Sequence, residues 1–169
     1  MLPAERDRRP ALEASLTPAR LSRVYRRDVR RPEAQQAWLA ALDPDDREQF
    51  RQLGRRLAWA MVGYLDATDE DARRTQLGEA TTAAAEYGRL GGGLRLSLGD
   101  VVEGFLAFRR PFLAEIDAVA RRRGFDADEV SRLRDDADRA LDRLLVATMS
   151  GHTVDTGGRT VPRPEQIIE

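Results

Sequence analysis

Apolar side chains recur along this chain at intervals of three and four residues and nowhere alternate, which places them on the sides of α-helices and not on the faces of strands. The stretch 98–123 shows this most clearly. Leu98, Val101, Phe105, Phe108, Phe112, Ile116 and Val119 share one face, and Val102, Leu106 and Leu113 widen it. A helix this apolar is expected at the centre of the fold, with a kink at Pro111, whose ring removes a backbone bond and presses on the preceding turn. Residues 127–150 answer with Val130, Leu133, Ala137, Leu141, Leu144 and Leu145, the pattern of an antiparallel partner. In 45–67, Phe50, Leu53, Leu57, Met61 and Tyr64 form a stripe, with Trp59 toward another side as a candidate subunit contact or a residue covered by an N-terminal helix. The stretch 69–89 is poor in large apolar groups. Its Gly78, Ala80, Thr81, Thr82 and Ala83 to Ala85 leave a smooth surface that admits a second backbone or leaves space for a ligand.

Capping signals divide these periodic runs. Thr17-Pro18, Asp43-Pro44, Thr68-Asp69, Ser97-Leu98 and Asp126-Ala127 each set a capping side chain before a run, and Pro32 opens another. Thr68 with Asp71, Ser97 with Asp100 and Asp126 with Glu129 have capping-box spacing. About six helices are predicted, over 18–30, 33–42, 45–67, 69–89, 98–123 and 127–150. Gly91-Gly92-Gly93 reads as the one strong interior break, a hinge between two helical hairpins. Residues 1–16 and 153–169 lack periodicity and are expected to be a loose N-terminal segment and a C-terminal tail or linker around a single domain, 17–152. The fold class expected is all-α, a globin-like stack or a bundle.

Composition narrows what such a domain does. At 169 residues the chain can bury about two-thirds of its unfolded surface, so its core needs no disulfide or metal. The absence of cysteine excludes thiol nucleophiles, redox motifs and zinc–cysteine sites. Charged residues reach 34%, fitting helices with wide solvated faces, and every basic residue is an arginine. A net charge of −1 argues against nucleic acid as the main partner. The first ten residues carry no apolar run after their charges and no stretch is apolar enough to span a bilayer, so neither a signal peptide nor a membrane contact is expected, and a cytoplasmic location follows.

No catalytic, cofactor-binding or metal-binding constellation emerges. The single histidine, His152, is placed after the last helix as a solvated residue, and no mid-chain imidazole offers itself to haem iron. Asp135, Asp136, Asp138 and Asp142 alternate with Arg132, Arg134, Arg139 and Arg143 at helical spacing, which predicts mutual ion pairs on a wet face. Ser97 has no base to activate it, and the pairs Arg26-Arg27 and Arg30-Arg31 and the run Arg121-Arg122-Arg123 suit helix C-termini. The phenylalanine stripe either fills the core or lines a pocket for a small apolar ligand. In the second case Phe105, Phe108 and Phe112 would form it with Tyr87 and Ala84 from the neighbouring helix.

The stretch 86–120 joins a small-residue helix ending in Tyr87-Gly88 to Leu94, the cap Leu96-Ser97-Leu98-x-Asp100, and an aliphatic-aromatic helix reaching Arg109-Arg110. It resembles the non-haem, globin-like sensor domains at the N-termini of RsbR-type stressosome proteins and of some bacterial regulators. The resemblance implies a haem-less helical fold, dimerisation through the last two long helices, and regulation in place of catalysis. No output domain follows residue 169, so a stand-alone module or a fragment is expected. The resulting expectation is a homodimeric bacterial signalling module that binds a protein partner, with Val102, Leu106, Leu113 and Leu145 at its interface. The alternatives are the ligand-binding part of a TetR-like regulator, for which 18–42 is short, and an enzyme whose cofactor supplies the chemistry.

Overall fold

In a computed structural model of the chain, the described residues are 23 and 37–157. The segment 1–16, the tail beyond 157 and, apart from residue 23, the expected helix 18–30 therefore lie outside the described residues. Within them run α1 (Ala37–Ala41), α2 (Pro44–Asp66), α3 (Glu70–Gly93), α4 (Leu98–Arg122) and α5 (Ala127–Gly157), with no strand among the described residues.

The helix starts follow their side chains. Asp43 accepts from the backbone N–H of Asp45 ahead of Pro44, and Ser97 and Asp100 close a reciprocal capping box. Asp126 and Glu129 exchange the same pair of bonds at the start of α5. At α3 the cap is Asp69, not Thr68: its carboxylate accepts from Ala72 N–H at 2.8 Å.

Helix ends depart further from the sequence pattern. The glycine triplet is no hinge, because α3 continues through Gly93 and turns only at Leu94 to Leu96. Gly91 and Gly92 are buried there, and a methyl group at Gly91 would stand 2.3 Å from a methyl of Val101 on α4. Helix α5 runs past the expected end at 150 and takes in Gly151 and His152. Helix α4 is continuous through the buried Pro111.

Cross-helix contacts fix the topology. Arg56 on α2 pairs with Glu79 and Glu86 on α3, and Phe50 meets Tyr87, so α2 and α3 are antiparallel. Arg109 pairs with Asp138 and Asp142 while Asp117 pairs with Arg134, so α4 and α5 are antiparallel as expected. Arg73 meets Asp136 near the start of α3, and Gly88 meets Thr148 near its end, so α3 and α5 run parallel. The four long helices therefore alternate in direction along the chain.

The most extensive packing is between α3 and α5, whereas α4 rests chiefly on α5 and meets α3 at few points. Small residues allow this. A Cβ at Gly88 would lie 1.9 Å from the carbonyl oxygen of Thr148, and one at Gly151 would lie 2.1 Å from that of Ala85. The smooth surface of α3 thus receives a second backbone. One core joins the helices, with Met61, Ala80, Ala84, Phe112, Ile116, Leu141 and Leu144 all nearly free of solvent.

Candidate interaction surface

Helical geometry sets the outward seam between α4 and α5. Val102, Leu106 and Arg109 lie on one side of α4, at spacings of four and three, and Asp138, Asp142, Val146 and Met149 lie on one side of α5. The Arg109 guanidinium bridges these two sides, donating to Asp142 at 2.7 Å and to Asp138 at 2.9 Å. Burial opposes the charge on Arg109, but its hydrogen bonds to the two carboxylates prevail and raise its pKa above the ordinary arginine value. Arg134, paired with Asp117 and close to Asp138, extends the polar part of the seam toward the C-terminus of α4.

Toward the other end the seam becomes apolar. Leu96 and His152 meet at one end and Arg109 and Asp142 at the other, so Val102 and Leu106 lie level with the part of α5 between Asp142 and His152. Leu106 is 45% exposed, Val146 is 62% exposed and Met149 is 38% exposed, while Val102 is half-buried. Large aliphatic side chains one or two turns from an ion pair, on the same outward side, form a surface suited to a second protein. Val154, further round α5, is also exposed.

Of the four residues expected at a subunit contact, the structure places Leu106 in the open and Val102 at the surface. Leu113 is buried in the chain's own core, and Leu145 packs partly buried against it. Sequence reasoning missed Val146 and Met149. Their signal was legible, since they share a side with Asp142, but the stripe through Leu141, Leu144 and Leu145 points to the adjoining, buried face.

The five residues expected around an apolar ligand do not form one group. Phe105, Phe112 and Ala84 are in the core, and Phe108 stacks on Phe112 with ring centroids 5.3 Å apart. Tyr87 belongs to a different aromatic cluster. Its ring meets Phe50 edge-on at 4.8 Å, Phe50 meets Trp38 of α1, and both Tyr87 and Trp38 approach α4 where Gly104 lacks a side chain. A shallow groove of about 390 Å3 lies elsewhere, between α2 and α3, lined by Gln49, Gln52, Leu53, Arg56, Glu86 and Leu90. Trp59, 40% exposed, stands on the side of α2 that carries Gln52 and Arg56.

His152 corrects its expectation. It lies inside α5, is 6% exposed, and its Nε2 lies 2.9 Å from the Leu96 carbonyl oxygen. A carbonyl only accepts, so this nitrogen carries the proton and donates. Among the described residues no group of three or more His, Cys, Asp or Glu side chains is placed to hold a metal ion, and no helix is long and apolar enough to cross a membrane. The chain matches no family model, no curated protein and no solved structure.

Proposed function

We propose that this chain is a non-catalytic bacterial regulatory module, located in the cytoplasm, that acts as a homodimer and passes its signal to a protein partner. The observation that carries the reading is the half-apolar seam of α4 and α5, with Leu106, Val146 and Met149 exposed beside the Arg109 to Asp142 pair. Two copies meeting at this seam would bring four helices together, and a two-fold contact of that kind is self-complementary by symmetry. The resemblance of 86–120 to sensor domains of stressosome proteins points the same way. A bound apolar ligand is left out of this reading, because the phenylalanines that would line its pocket pack on one another.

The test is the double variant Leu106→Glu, Val146→Glu. Both side chains are exposed, so charge there leaves the protomer's core intact. Light scattering after gel filtration is expected to show half the wild-type mass, with the helical circular dichroism unchanged. A double variant that keeps the wild-type mass removes the seam from the interface and the reading with it.

A further inference from the structure

The C-terminal end of α3 contradicts its own residue types. The turn is a Schellman motif: Leu96 N–H donates to the Gly91 carbonyl and Arg95 N–H to the Gly92 carbonyl, each at 3.0 Å. The position of such a motif that demands a left-handed backbone is the one glycine ordinarily fills. Here it holds Arg95, at φ 61°, the one non-glycine residue with positive φ among the described residues. Three glycines stand immediately before it and are held in the helix, where glycine is the weakest helix former after proline. At the end of α4 the same bonds recur with Gly124 in the left-handed position, at φ 78°, so this chain can build the motif without strain.

An earlier end would suit the sequence better. If α3 stopped two or three residues sooner, Gly93 or Gly92 would take the left-handed position and Arg95 would return to ordinary backbone. Two tertiary contacts favour the longer helix. Gly91 and Gly92 are buried at the point where Val101 of α4 closes on Gly91, and His152 of α5 donates to the Leu96 carbonyl at 2.9 Å.

We infer that the end of α3 is a two-state element, with a long form that strains Arg95 and is latched by His152, and a short form that places a glycine in the left-handed turn and releases the latch. Its consequence falls on α4. That helix meets α3 at few points, so the Leu94 to Leu96 turn and the seam with α5 decide its position. Unwinding the last turn of α3 lengthens the connection and frees the start of α4 to shift along α5. A fold with such a joint can report an event at one helix as a displacement of another. This inference does not depend on the dimer.

The experiment is amide hydrogen exchange, resolved by NMR, on the full chain. The N–H groups of Leu94, Arg95 and Leu96 all bond across the turn, and their opening is read against amides in the middle of α5. In the wild type these three are expected to exchange through a local opening well before the α5 amides. Arg95→Gly should slow them about fivefold, since it removes the cost of a left-handed arginine in the long form. Gly93→Ala, at an exposed position, should slow them too by removing the first alternative stop. His152→Ala should speed them relative to the α5 amides. Arg95 and Gly93 are both exposed, so their variants report on the turn and not on the core. Should the three wild-type amides open only together with α5, or Arg95→Gly leave their ratio to α5 unchanged, the two-state end does not exist.

Discussion

Gly88 and Gly151 are the residues at which two backbones touch, and any side chain there has nowhere to go. A methyl at either would press on a carbonyl oxygen of the facing helix, which cannot rotate away as a side chain can. Gly88→Ala and Gly151→Ala should each cost about 3 kcal/mol or more in urea unfolding. Gly54→Ala and Gly78→Ala face open space within their helices and should instead gain about 0.5–1 kcal/mol. His152 makes a second prediction at this scale. It is the only imidazole in the chain, and its Nε2 donates to Leu96. Titration with haem should therefore give no stoichiometric Soret band, whereas a stable one-to-one complex would mean that α5 opens to release it. The smoothness of α3 was readable in Ala83, Ala84 and Ala85, but the contact at Gly151 was not. A glycine near an expected helix end reads as a stop signal, and only the register of two helices reveals that it is a point of approach.

At the scale of elements, Arg73 holds the α2–α3 corner to α5. Its guanidinium donates to Asp136 at 2.9 Å and to the Tyr64 hydroxyl at 3.0 Å, and lies 4.5 Å from the Tyr64 ring centre. Burial works against ionised Asp136, but the hydrogen bonds from Arg73 and Arg139 outweigh it and hold the carboxyl below its ordinary 3.8. A carboxyl lowered in the folded state contributes stability that is complete above its unfolded pKa and is lost as pH falls through the folded value. The stability gap between wild type and Asp136→Asn should thus stay constant from about pH 7 to about pH 5 and narrow below about pH 4, as urea denaturation across that range would show. A gap independent of pH would mean that Asp136 contributes by packing alone. Element starts were legible because a cap is a local contract between a side chain and the next turn, as at Ser97 and Asp126. Ends were not: the burial of Gly91 and Gly92 overrides their poor helical preference, and the contacts of Gly151 carry α5 onward.

For the whole molecule, the period of the apolar positions decided the fold class, and the antiparallel pairing of α4 with α5 followed from their matched stripes. The dominance of the parallel α3–α5 contact was hidden, because alanines and glycines give almost no periodic signal while allowing the closest packing. The seam proposed as an interface was half legible for a related reason. Leu106 widens an apolar stripe visibly, but Leu113 does so too and is buried, and only packing separates the two. In the proposed dimer the seam of α4 and α5 is covered by a second copy of the chain. Sedimentation equilibrium of the wild-type protein at micromolar concentrations tests it most directly. The expected mass is twice the 19.0 kDa of the chain, falling toward a single chain on dilution. A mass of one chain throughout that range would contradict it.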